Sequence, residues 1–172
     1  MTSLKILQLE IPRRNTVCAK GQEKFSPGTD YYSTLTESNT GDWQRQDFCH
    51  VCWDASEHEA AKNAGGYWKS KVPLKQEVAP LSQNRNVRIL ELLKERLSSG
   101  SEDNRAEAFV LALFLARARV VYLRQELQQE DGSFVNLYEV AATEEMLAVK
   151  KINLSQLEVG KIQAQLATEL AK

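Results

Sequence analysis

Two of the chain's three cysteines, Cys49 and Cys52, stand at C-x-x-C spacing, flanked by Phe48 and Trp53, with Cys18 upstream. Zinc takes four nitrogen or sulfur ligands in a tetrahedron, and structural sites are commonly built from paired C-x-x-C knuckles. One knuckle is complete. The other is half present, because the position matching a second cysteine after Cys18 is Gly21, which has no ligand atom. A full site would be Cys18, Cys49, Cys52 and His58, with His58 recruited from the segment after Trp53. His50 lies inside the knuckle, where a side chain points away from the metal its flanking cysteines share. The alternative is a metal-free knuckle whose cysteines act as small buried hydrophobes. The missing fourth ligand favours the metal-free form, so no cofactor is expected and zinc is the one candidate.

Other chemistry has less support. A redox C-x-x-C works best at a helix N-terminus in a βαβ setting, whereas the residues before Cys49 read as a strand. A c-type haem site needs His directly after the second cysteine, and Trp53 stands there. Phosphate-binding, dinucleotide-binding, nucleophile-elbow and H-E-x-x-H motifs are absent from the sequence. With His50 and His58 as the only histidines, no catalytic residue is assigned. Lys69, Lys71 and Lys75 beside Tyr67 and Trp68 could form a basic, aromatic nucleic-acid surface. A solvated stretch with Trp68 closing the core is the plainer reading.

The elements that must position the cysteines are short strands. Residues 6–11 put Leu7, Leu9 and Ile11 on one side of an extended segment that Pro12 ends. Pro27-Gly28 marks a turn, 31–36 is rich in aromatic and β-branched residues, 38–42 is a turn cluster and 43–48 a partner strand. That hairpin delivers Cys49 and Cys52 at its end, near the strand of Cys18. A short helix follows over 54–62, stopped by Gly65-Gly66; 67–80 is a connector with one extended piece at 67–71.

From residue 82 the pattern turns helical. Val87, Leu90, Leu93 and Leu97 share one face, and Gly100 stops the helix. A second helix from about 101 to 119 is apolar nearly all round and should be central. Strands follow at 120–123, 134–140 and 147–154, the first two joined by the Asp131-Gly132 hairpin signal. Ser155 and Glu158 form a capping box for a last helix striped by Val159, Ile162, Leu166 and Leu170. The fold class is α+β: a β-rich, zinc-ribbon-like module over 1–80, then helices and a small antiparallel sheet over 81–172, possible as one compact unit.

Composition is ordinary for a globular chain, and a length of 172 residues lets folding hide roughly 70% of the extended-chain surface without disulfides. A net charge of -1 argues against general nucleic-acid affinity. No apolar run reaches the length of a membrane span, no signal peptide is legible, and an odd cysteine count suits a reducing cytoplasm.

The run Phe25-x-Pro27-Gly28-x-x-Tyr31-Tyr32-Ser33-x-Leu35, with Cys18 before it and Arg45-x-Asp47-Phe48-Cys49-x-x-Cys52-Trp53 after it, resembles a family of small uncharacterised bacterial proteins. The resemblance covers the first half of the chain. It implies a zinc-ribbon-like N-terminal module whose metal is dispensable, and no established activity. The leading functional expectation is a non-enzymatic cytoplasmic protein-interaction module presenting Trp43, Trp68 or the Tyr31-Tyr32 strand to a protein partner. The alternatives are a zinc- or thiol-dependent enzyme centred on Cys49, Cys52 and His58, and a nucleic-acid binder using Lys69, Lys71 and Lys75.

Overall fold

The computed structural model describes residues 10–56, 58–74 and 83–172. Strands β1 (Asp30–Glu37), β2 (Trp43–Cys49) and β3 (Gly66–Lys71) form an antiparallel sheet in the order β2-β1-β3. The register pairs Ser33 with Asp47 and with Trp68, and Tyr31 with Cys49 and with Ser70. Alternation along a strand then assigns Tyr31, Ser33, Leu35, Arg45, Asp47 and Trp68 to one face and Tyr32, Phe48, Lys69 and Lys71 to the other. The extended piece expected at 67–71 is thus a full partner strand. Most of the strand expected at 6–11 and Lys75 lie outside the described residues.

A second antiparallel sheet joins β4 (Val121–Gln128), β5 (Phe134–Val140) and β6 (Met146–Lys150) in that order. Strand β5 is buried from Val135 through Val140, because both of its faces are covered. Val135 and Leu137 pack with Leu35, Trp68, Leu127 and Met146 against the first sheet. Tyr138 and Val140 pack with Ile89, Leu93, Phe109 and Leu115 against the helices. The second sheet is therefore the middle layer, and the mixed pattern of β5 follows from being enclosed on both sides.

Helices α3 (Gln83–Ser99) and α4 (Glu102–Arg117) form an antiparallel pair, turned at Gly100, whose φ of 66° is one that glycine adopts without strain. Ser101 caps α4 by accepting from the Asn104 N–H. The expected central helix is buried along Ala108, Phe109, Leu111, Ala112 and Leu115, but Phe114 is exposed. Its buried Glu107 is paired with Arg96 at 2.6 Å. Helix α5 (Val159–Leu170) covers the pair through Ile162, Leu166 and Leu170.

Four element boundaries differ from the sequence reading. Strand β4 runs from Val121 to Gln128, well past the expected 120–123. The capping box is not formed: Ser155 belongs to a 3-10 turn, Leu154–Gln156, capped by Asn153, and Glu158 is the N-cap of α5. Strand β6 ends at Lys150, because the chain then enters that turn. The helix expected at 54–62 is two pieces, α1 (His50–Ala55) and α2 (Glu59–Lys62), and the first starts inside the knuckle. The protein is α+β, and among the described residues no helix is long and apolar enough to cross a membrane.

Candidate metal centre

Cys18 sits in a tight local hairpin: Val17 bridges Lys24, the Cys18 N–H donates to the Glu23 carbonyl at 2.8 Å, and Phe25 closes onto Thr16 at 3.0 Å. The turn between them carries Ala19, Lys20 and Gly21. Cys49 ends β2 and caps α1, its sulfur accepting from the Cys52 N–H at 3.4 Å. A short polar acceptor at this position anchors the first helical turn as Ser or Asp would. The Cys18 sulfur accepts two backbone N–H groups, from Gly21 at 3.4 Å and from Cys49 at 3.3 Å.

The three sulfurs lie within 4.8 Å of one another, and all three thiols are free. Zinc–sulfur bonds of about 2.3 Å require tetrahedral ligand sulfurs to stand roughly 3.8 Å apart. The cluster is therefore assembled to within a small side-chain adjustment of a metal set. Cys18 is fully buried, Cys49 and Cys52 half-buried, and Phe48 and Trp53 pack beside them. Trp53 is held by a parallel stack on Tyr32, with ring centroids 4.8 Å apart. This cluster is what joins the loop, the end of β2 and α1.

Burial disfavours the Cys18 thiolate, but the N–H groups of Cys49, Gly21 and Lys20, with the Cys49 side chain, outweigh it and bring its pKa to about 7. Cys52 moves the other way, to about 11, through hydrogen bonding to Cys49, then burial, then the neighbouring Cys18. One thiolate forms readily and the last proton is retained. A cation held by the three sulfurs would have to displace that proton, because metal binding to thiols releases protons.

Gly21 faces the cluster. A Cβ built at this glycine would lie 2.9 Å from the Cys52 Sγ and 3.9 Å from the Cys18 Sγ. A side chain at position 21 would therefore collide with the Cys52 sulfur, and the glycine is what lets that sulfur sit so close to the loop. Among the described residues the metal-competent group is Cys18, Cys49 and Cys52 alone. Of the set expected to hold a metal if one is bound, Cys18, Cys49, Cys52 and His58, the structure clusters the three cysteines and leaves His58 outside the group. The reason is local: His58 adopts a φ of 60° after α1 ends, its ring packs 5.2 Å from Trp53, and its Nε2 lies 3.8 Å from Asp54. His50 meets the other oxygen of Asp54, at 3.3 Å, and is equally exposed.

The remaining expected site residues disperse. Tyr31 and Trp68 are interior, at 0% and 6% exposure, so neither is a presenting residue. Trp43 is half-buried against the Leu35 cluster. Lys69 and Lys71 are exposed but both lean on Asp30, at 3.1 and 3.9 Å. Strand alternation puts them on the face opposite Trp68, whereas Tyr67, which is exposed, and Tyr32, whose ring lies 5.8 Å from the Lys69 ammonium, share their face.

One constellation has a role that the sequence does not announce. Asp47 is buried and accepts from Ser33 Oγ at 2.5 Å, Arg45 Nε at 3.0 Å, the Asn15 N–H at 2.8 Å and Asn15 Nδ2 at 3.1 Å. Arg45, also buried, lies 3.8 Å from Glu139 of β5 and stacks over the Trp68 ring. Glu139 in turn takes Arg124 at 2.9 Å. The network ties the two sheets together and fixes the strand that feeds Cys18, since the Ala19 N–H also donates to the Asp47 carbonyl at 2.8 Å. Its only sequence trace is Trp43-x-Arg45-x-Asp47, charges at the same parity as an aromatic residue.

Comparison with known protein families, with curated proteins and with solved structures finds no match to this chain.

Proposed function

We infer that this chain is a non-enzymatic, ribbon-like metal-binding module. Cys18, Cys49 and Cys52 hold one zinc ion that pins the 17–24 hairpin to the junction of β2 and α1. The observation that carries this reading is the thiol cluster itself, drawn within 4.8 Å and supplied with backbone N–H donors at two of its sulfurs. Softness selects the metal class, since thiolate sets favour zinc and monovalent copper over magnesium or calcium. Zinc is the choice for a site that holds a fold together, being redox-inert.

The role of the metal is then mechanical. It turns the knuckle into a rigid mount whose tip exposes Val51, 73% accessible, with His50 and Tyr67 nearby on the surface. Contact with a protein partner falls to this tip rather than to Tyr31 or Trp68. A thiol-dependent enzyme fits less well, because the most acidic thiol, Cys18, is the one closed off from solvent. Free thiols suit a reducing compartment.

Elemental analysis of protein expressed with added zinc and purified without chelator tests the reading. One zinc per chain, lost in Cys52→Ser, is the expected result. A protein that carries no metal, and takes none up on titration, overturns it.

A further inference from the structure

We propose that Cys49 and Cys52 are a two-electron oxidation site: a peroxide closes them into a disulfide, which takes two ligands from the metal and releases it. The release rests on the three-thiolate reading, and it gives a structural centre the means of being undone. Three free thiols lie within 4.8 Å of one another, where a disulfide needs about 2.0 Å between two of them. Geometry selects the pair. Cys49 and Cys52 are three residues apart, and the Cys49 sulfur already accepts from the Cys52 N–H at 3.4 Å, so closing their short loop orders little chain that is not already fixed. Cys18 is fully buried, and its sulfur is occupied by the N–H groups of Gly21 and Cys49 at 3.4 and 3.3 Å. Cys49 and Cys52 are only half-buried, so an oxidant little larger than water meets them first.

The step balances without a cofactor. The sulfur of one cysteine attacks a peroxide oxygen, the O–O bond breaks, and hydroxide leaves to become water, giving a sulfenic acid. The sulfur of the other attacks that sulfenic sulfur. The S–S bond forms, and the S–O bond breaks with loss of a second hydroxide, which is also protonated to water. The two sulfurs give up two electrons and the peroxide takes them. Protons come from the thiols, or from solvent when the sulfurs are metal-bound. Zinc keeps its oxidation state and departs because Cys18 alone remains to hold it. The 17–24 hairpin then loses its metal pin but keeps the Ala19 N–H bond to the Asp47 carbonyl at 2.8 Å, so the centre re-forms once the disulfide is reduced.

Zinc-loaded wild type is treated with hydrogen peroxide while a chromophoric chelator reports free zinc, then alkylated with iodoacetamide under denaturing conditions and cut with trypsin. The cuts leave Cys49 and Cys52 together in peptide 46–62 and Cys18 apart in peptide 15–20. Peptide 46–62 should be unalkylated and lighter by two hydrogens, and peptide 15–20 alkylated. One zinc should leave per disulfide, and the metal should bind again after phosphine reduction. Cys18→Ser, which keeps both partners, should close the same disulfide. A cross-link between 15–20 and 46–62, or sulfinic acid in place of the disulfide, overturns the proposal, and so does zinc that stays on the oxidised chain. A wild type that takes up no zinc overturns the three-thiolate reading instead, and the mass of peptide 46–62 then still decides the disulfide.

Discussion

Asp47→Asn isolates the device on which the candidate site hangs. The substitution keeps the shape of the side chain but removes a charge that is fully buried beside Arg45. Asp47 accepts four hydrogen bonds, two of them from Asn15, and an amide nitrogen in place of one oxygen turns part of that acceptor shell into a donor. Arg45 is left facing Glu139 at 3.8 Å, a carboxylate already shared with Arg124. Removing one partner of a buried ion pair costs about 3–5 kcal/mol. For a chain of this size each kcal/mol lowers the melting temperature by about 2–4 °C, so a drop of about 6–20 °C is expected. Because the pair is buried, the loss should persist in about 1 M salt, where the Debye length is roughly 3 Å.

Urea unfolding of four proteins gives the answer: wild type, Asp47→Asn, Arg45→Met and the double variant. The double variant should be more stable than the sum of the single losses predicts, because it removes the orphaned charge as well as the pair. An Asp47→Asn loss below about 1 kcal/mol, or strictly additive losses, would refute the claim that this network holds the Cys18 strand in place.

Other outcomes follow from the same geometry. Trp53→Ala removes a side chain 1% exposed and stacked on Tyr32, and should cost about 3–5 kcal/mol by chemical denaturation. Replacing Lys69 and Lys71 together by Ala should change stability by less than about 1 kcal/mol, since both pairs with Asp30 are solvent-exposed. In metal-free protein, one thiol should titrate near 7 by ultraviolet thiolate absorbance, and this step should vanish in Cys18→Ser. The sign for stability is set by the lowered pKa. The Cys18 contribution is present above its ordinary value of 9.0 and is lost as pH falls through about 7, so the pH 9 to 7 loss should shrink in Cys18→Ser.

The β1–β2 hairpin was legible because turn chemistry and aromatic, β-branched alternation agree over 31–48. Gly21 was legible too: knuckle spacing alone marks it as the missing ligand position, and the structure puts that glycine against the Cys52 sulfur. His58 was not. Its placement depends on α1 ending at Ala55 and on His58 itself taking a left-handed conformation at the start of α2, and nothing in a run of ordinary helix formers announces that break. Arg45 and Asp47 were hidden by the rule that charges face water. On β2 it is Gln44 and Gln46 that face outward, and the charged pair is enclosed because each satisfies the other. The double burial of β5 was obscured in the same way, with Asn136 and Glu139 breaking what would otherwise read as an unbroken apolar strand.

The central claim is that three cysteines, without His58, make the metal site. Zinc affinity by competition with a chromophoric chelator, for wild type, Cys18→Ser and His58→Ala, tests it most directly. Tight binding that survives His58→Ala and is lost in Cys18→Ser is the predicted result. A wild type that cannot compete for zinc, or a His58→Ala variant as impaired as Cys18→Ser, would contradict it.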